Sequence, residues 1–146
     1  MLDDILYEIC TEMFNKAIIL FRGLEEPFLR AVARVVEVVI YNPDMIICAQ
    51  GDYAMTMYYI IQGECLVKAR HDSKVTTAIL RAGTIFGESS LFFSFPYASN
   101  VETRTCCQLL RLHKEDLMEV FNDHIHILNF MRARIQVFCT FLFLTV

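Results

Sequence analysis

The sequence predicts an α+β fold. Helices come first, then an eight-stranded antiparallel β-roll of jelly-roll-like layout with one short helix interrupting it, then two closing helices. Three observations predict this. Short β-branched and aromatic segments recur about every 8–12 residues between Gly, Pro, Asn and Asp punctuation, the pattern of a sandwich or barrel. Apolar residues at helical spacing are confined to the two ends. The chain has 146 residues, a length that suits one domain with one core.

The elements follow in order. Leu2 to Leu20 reads as a helix, with Asp3 and Asp4 capping and charging its N-terminus. Leu6, Ile9, Cys10, Met13, Phe14 and Ala17 form its apolar stripe, and Phe21-Arg22-Gly23 breaks it. A second helix runs from Glu25 to about Arg34, with Pro27 in its first turn and Phe28, Leu29, Val32 and Ala33 facing inward. From Val35 the β-branched run Val35, Val36, Val38, Val39 and Ile40 favours strand. Asn42-Pro43-Asp44 turns the chain into a strand over Met45–Ala49, and Gln50-Gly51-Asp52 turns it again. Met57–Ile61, Cys65–Ala69 and Val75–Leu80 are the next strands. Phe86 to Ser99 is irregular with one short helical piece, and Val101–Thr103 with Gln108–Leu112 makes a hairpin. Helices over Lys114–Phe121 and from Ile125 onward close the chain. Residues 1–20 are thus a leading helix and 21–146 the domain proper, with the roll at about 35–112 and the closing helices at about 114–144.

Composition narrows the function. A formal net charge of −4 argues against a nucleic-acid face, which is usually basic, and offers no long-range steering to an anion. Any anion site must be built locally. Hydrophobic residues make up 55% of the chain, which suits a module that docks on something larger. The six cysteines, Cys10, Cys48, Cys65, Cys106, Cys107 and Cys139, form no CxxC pair and read as reduced core thiols. His124 and His126 lack a cysteine pair at ligand spacing, so no metal is expected. No Ser/His/Asp or Cys/His set is apparent, so no enzyme is expected. The apolar tail Ile135–Val146 is shorter than the ~20 residues a membrane helix needs, and packing on a partner is the reading preferred for it.

The informative segment is Gly83-Thr84-Ile85-Phe86-Gly87-Glu88-Ser89-Ser90-Leu91. A glycine before a helix start lets backbone approach a ligand, N–H groups there attract an anion, and Glu88 offers a carboxylate to sugar hydroxyls. Alone, this is an ordinary helix cap. It stands, however, behind Tyr41-Asn42-Pro43-Asp44-Met45-Ile46-Ile47, Gln50-Gly51-Asp52 and Met57-Tyr58-Tyr59-Ile60-Ile61-Gln62-Gly63. Jointly, from Leu20 to about Phe138, the chain resembles the cyclic-nucleotide-binding domain family, with Leu80 to Glu88 similar to the start of that family's phosphate-binding cassette. The flavour is similar to the modules of voltage-gated and cyclic-nucleotide-gated cation channels, or of a sperm-type sodium/proton exchanger.

The resemblance implies a ligand, cAMP or cGMP, and a ligand-binding set of Phe86, Gly87, Glu88, Ser89, Ser90, Tyr97, Ala98 and Ser99. Arg132 and Arg134 lie on the last helix, which in the family caps the base; a solvated polar face is the plainer reading of these two. Phe86 is read as core rather than contact. The resemblance also implies a cytosolic module on the inner side of a membrane, a parent pore or transport region as partner, and homotetramer contacts. Nucleic acid is not an expected partner. A ligand-independent interaction scaffold on the same fold is the rival reading, supported by the Phe92–Phe95 loop and the apolar tail.

One departure bears on all of this. Ligand-competent members close the cassette with an arginine that pairs with the cyclic phosphate. Counting from Glu88 and from Val101 both place Tyr97 there, and Ala98 stands where a Thr or Ser is usual. Arginine offers phosphate a charged bidentate fork; tyrosine offers one neutral hydroxyl. Losing one partner of a buried charge pair costs ~2–5 kcal/mol, roughly one to four decades of affinity. Weak or absent binding is therefore expected. Three outcomes stay open: a vestigial site, a pocket filled by Tyr97 or the tail, or binding through backbone N–H groups at Glu88, Ser89 and Ser90 helped by Arg104, Arg132 or Arg134.

Overall fold

The structure is a computed structural model and describes residues 2–16, 23–69, 72, 74–88 and 96–134. It divides into two compact units, a helical one (residues 1–35 and 116–146) and a β unit (residues 36–115).

In the helical unit, α1 spans Leu2–Lys16 and α2 spans Glu26–Val35. Cys10, Met13 and Phe14 of the apolar stripe are buried, while Leu6 and Ile9 are half-buried. Ala17 and the remainder of the expected first helix, residues 17–20, lie outside the described residues. In α2 the four residues expected to face inward, Phe28, Leu29, Val32 and Ala33, are all buried. A third helix, α3, spans Lys114–Asp123, and a fourth, α4, covers residues 125–134. Phe28 organises this unit. Its ring stacks on Phe121 at 5.2 Å and meets Phe14 edge-on at 6.2 Å. Arg30 lies over the Tyr7 ring at 4.3 Å and donates to Asp4 Oδ1 at 3.4 Å, tying α1 to α2.

The β unit holds eight strands: β1 Glu37–Tyr41, β2 Ile46–Cys48, β3 Thr56–Gln62, β4 Cys65–Lys68, β5 Thr76–Leu80, β6 Ile85–Phe86, β7 Val101–Thr103 and β8 Cys107–His113. They form two four-stranded antiparallel sheets, ordered β1-β8-β3-β6 and β2-β7-β4-β5. The core between them gathers Tyr58, Ile60, Phe86, Cys107 and Leu109 from the first sheet and Cys48, Cys65 and Val101 from the second. β3 is buried from Thr56 to Ile60, on both of its faces. That is why it reads as an unbroken apolar run rather than an alternating one.

Two boundaries differ from the sequence reading. α2 continues through Val35, where β-branched composition favours strand; the Phe28, Leu29, Val32, Ala33 stripe keeps the chain helical to that point, because a buried face outweighs local propensity. Ile85–Phe86 is a strand paired with Tyr58 and Tyr59, where the sequence reading has Phe86 opening an irregular stretch. Two residues are too few to show alternation. The short helix expected to interrupt the strands falls on residues outside the described set.

The predicted turns hold. Asp44 adopts a φ of 64°, tolerated by Asp, and its N–H donates to Thr103 O at 2.9 Å. Buried Thr103 donates its hydroxyl to Asn42 O at 2.6 Å and accepts from Met45 N–H at 2.9 Å, so one side chain fixes the β1–β2 turn.

At the opposite end of β1, Glu37 accepts from Arg111 Nε at 2.8 Å and lies 3.5 Å from His113 Nε2. His113 Nδ1 in turn sits 3.1 Å from the Thr56 hydroxyl. The Arg111 hydrogen bond holds the Glu37 carboxyl below its ordinary range. A group held low contributes stability that is present above its unfolded value, near 4.3, and is lost as pH falls through the folded one. Glu37→Gln should therefore lower the melting temperature slightly in the neutral region and flatten the acid limb, so that the native and variant profiles converge as pH falls through the folded value. A native and variant profile that stay parallel below about pH 5 would contradict this.

Candidate functional site

The site is built where β6 ends and the chain returns to β7. Phe86 does not face a ligand: it is 7% exposed and stacks on Tyr58 at 5.1 Å, inside the core. Gly87 follows with a φ of +81°, and a Cβ there would lie 2.7 Å from the Thr56 carbonyl oxygen. Only glycine fits, because the backbone of β3 already fills the space. Glu88 is half-buried in a turn. Ser89 and Ser90 lie outside the described residues.

Tyr97 reaches the same place from the other direction. Its backbone is clamped to the Gln50-Gly51-Asp52 turn: Gly51 N–H donates to Tyr97 O at 2.9 Å, and Tyr97 N–H donates to Asp52 O at 3.0 Å. Pro96 and Tyr53 add a β-bridge beside it. The side chain then turns inward. Its hydroxyl donates to Thr56 O at 2.9 Å, and the ring edge comes within 3.4 Å of where a Cβ on Gly87 would stand. The ring packs on the core between the sheets, against a cluster that includes Cys48 and Phe86. Burial is the main reason the Tyr97 phenol is pushed up, with the neighbouring Cys48 second. Cys48 is itself pushed up to about 12 by burial. Both groups are neutral at physiological pH.

The chemistry of this arrangement is that of a closed position. A phenol has one hydrogen to donate, and Thr56 takes it. No Lys or Arg occurs in the sequence between Arg81 and Arg104, so this stretch supplies no cation to the cassette. Ala98 is exposed; Ser99 and Asn100 are half-buried, and Asn100 Oδ1 accepts from Gln50 N–H at 2.6 Å, which fixes the loop rather than offering it to a ligand. Arg132 and Arg134 belong to the helical unit, where Arg132 is exposed and Arg134 lies over the Phe130 ring at 4.1 Å. Among the expected site residues that are described, the structure brings Gly87 and Tyr97 together. The sequence reading missed Thr56, whose carbonyl is the anchor, and Cys48 beside the ring. Thr56 acts through its backbone, so no side-chain motif marks it.

Among the described residues there is no cluster of three or more metal-ligating side chains, and no helix is long and apolar enough to cross a membrane.

Two four-stranded antiparallel sheets with a Gly87-Glu88 turn after the sixth strand define a β-roll domain. The chain belongs to the cyclic nucleotide-binding domain family, whose model matches residues 38–124. It is similar to the voltage-gated inwardly rectifying potassium channel KCNH2 of Oryctolagus cuniculus, 34% identical over 112 residues that cover 71% of this chain and 9% of the channel. It is also similar to the potassium channel SKOR of Arabidopsis thaliana, 28% identical over 116 residues, 75% of this chain and 14% of that one. Among solved structures, the regulatory domain of Toxoplasma gondii PKA, crystallised with cAMP, shares the fold with a TM-score of 0.67 at 22% identity, covering 80% of this chain and 43% of that chain. The chain thus spans only a small part, 9 to 14%, of the channels named here.

Proposed function

We propose that this chain is a regulatory module of a cation channel or related transporter whose cyclic-nucleotide position is closed from within by Tyr97. One observation carries the reading: the Tyr97 hydroxyl donates to Thr56 O at 2.9 Å, over Gly87, where family members place the arginine that meets the phosphate. The kinship with potassium-channel domains supports the parent, and the absence of a cation from the cassette supports weak or absent binding of cAMP and cGMP. A ligand shifts an equilibrium only by its differential affinity for the two states. With the phosphate position filled, the module works as a fixed regulator of a pore or transport region on the cytosolic side of a membrane, with homotetramer contacts. Arg132, Arg134, Glu88, Ser89 and Ser90 remain the candidate contacts for any residual nucleotide.

Calorimetric titration of the native chain with cAMP and with cGMP tests this. No saturable heat, or binding only in the millimolar range, is expected from a loss of one to four decades. Submicromolar binding of either nucleotide would overturn the closed-site reading.

A further inference from the structure

We propose that Cys65 and Cys107 form a disulfide site that joins the two sheets of the roll when the chain meets hydrogen peroxide. Cys65 opens β4 in one sheet and Cys107 opens β8 in the other. Both side chains are 0% exposed, and their Sγ atoms stand 3.9 Å apart across the core. That is close to van der Waals contact between sulfurs, and closing to a bond of about 2.05 Å requires the two side chains to rotate toward each other. The remaining contacts of Cys107 are weak sulfur hydrogen bonds, to Glu64 O at 3.2 Å, Thr105 O at 3.3 Å and the Thr105 hydroxyl at 3.9 Å. None of them holds the thiol in place strongly.

The oxidation runs in two steps. Cys107 Sγ lies directly under the Gly63 turn; a Cβ on Gly63 would be 2.7 Å from it. With no side chain at that position the sulfur packs against backbone, and at 0% exposure it meets peroxide when this turn opens locally. Burial pushes the Cys65 thiol up, with Cys107 beside it as the next cause. With Cys107 first, its sulfur attacks peroxide and takes one oxygen, the O–O bond breaks, and water leaves with the thiol proton, giving a sulfenic acid. Cys65 sulfur then attacks that sulfur; the S–S bond forms, the S–O bond breaks, and the hydroxyl leaves as a second water with the Cys65 proton. Peroxide is reduced to two waters and two thiols are oxidised to one disulfide.

The neighbours compete poorly. Cys106 is exposed and adjacent in sequence, so it reacts with peroxide or with another molecule rather than with the buried pair. Cys48 shares the core but lies against Tyr97.

The folded chain is treated with peroxide, quenched with catalase, unfolded, alkylated without reductant and mapped by mass spectrometry. The expected result is a linked peptide joining Cys65 to Cys107 with the loss of two hydrogens, reversed by a thiol reductant. The Cys106→Ala variant should give the same link, since it removes only the exposed thiol. Full alkylation of both Cys65 and Cys107 after peroxide, or a link from either to Cys48 or Cys106, would overturn the proposal.

Discussion

Gly63→Ala should lower stability by about 2–6 kcal/mol, a fall in melting temperature on the order of 10 °C or more. Gly63 has a φ of +104°, which strains any residue with a Cβ. The added methyl would also lie 2.6 Å from Cys106 O and 2.9 Å from Cys107 Cα. Both are backbone atoms, one just before and one at the start of β8, the strand that pairs with both β1 and β3, so they cannot yield without moving the sheet. Gly51→Ala separates the two costs. Gly51 has a φ of +85°, and an added methyl there would meet nothing within 4 Å, so it bears strain alone, roughly 1–3 kcal/mol. Thermal unfolding of the two variants measures the difference. Equal shifts would show that the close approach at Gly63 contributes nothing.

Tyr97→Arg should raise affinity for cyclic nucleotide by one to four decades over the native chain, the counterpart of the ~2–5 kcal/mol that a missing charge partner costs. The substitution does two things at once. It removes the ring that lies over Gly87 and frees Thr56 O, and it brings the only cation to the segment between Arg81 and Arg104. Clamping of the backbone at position 97 to Gly51 and Asp52 uses main-chain atoms and survives the change. Tyr97→Phe is the informative companion. It keeps the ring but leaves Thr56 O without its donor, so it should cost about 1–3 kcal/mol of stability and gain no nucleotide binding. Titration calorimetry and thermal unfolding of the three proteins check both statements. If the arginine variant binds no better than the native chain, the phosphate position is lost for reasons other than residue 97.

Much of the fold is legible before any coordinates are seen. The turns at Asn42-Pro43-Asp44 and Gln50-Gly51-Asp52 and the inward face of α2 follow from residue types with few physical alternatives. So does the register-bearing run of β3, buried on both faces. The segment Gly83 to Glu88 also marks the site, because a glycine at φ +81° packed against a carbonyl leaves a readable requirement. What escapes the sequence depends on pairs far apart in it. Tyr97 meets Thr56 across 41 residues, and Cys65 meets Cys107 across 42. Composition can say that Tyr97 lacks a charge; it cannot say that the ring turns inward and spends its hydroxyl on a backbone oxygen. β6 is hidden for a different reason: two residues carry no period, and only pairing with Tyr58 and Tyr59 makes them a strand.

Everything proposed for the ligand position depends on Tyr97 filling it in the free protein. Nuclear Overhauser contacts between the Tyr97 ring protons and the Gly87 α-protons, measured on the nucleotide-free chain, report on that placement without any substitution. Strong cross-peaks are expected, and they should persist unchanged when cAMP or cGMP is added. Their absence from the free chain, or their disappearance on adding nucleotide, would contradict the closed position and make the site an open or a displaceable one.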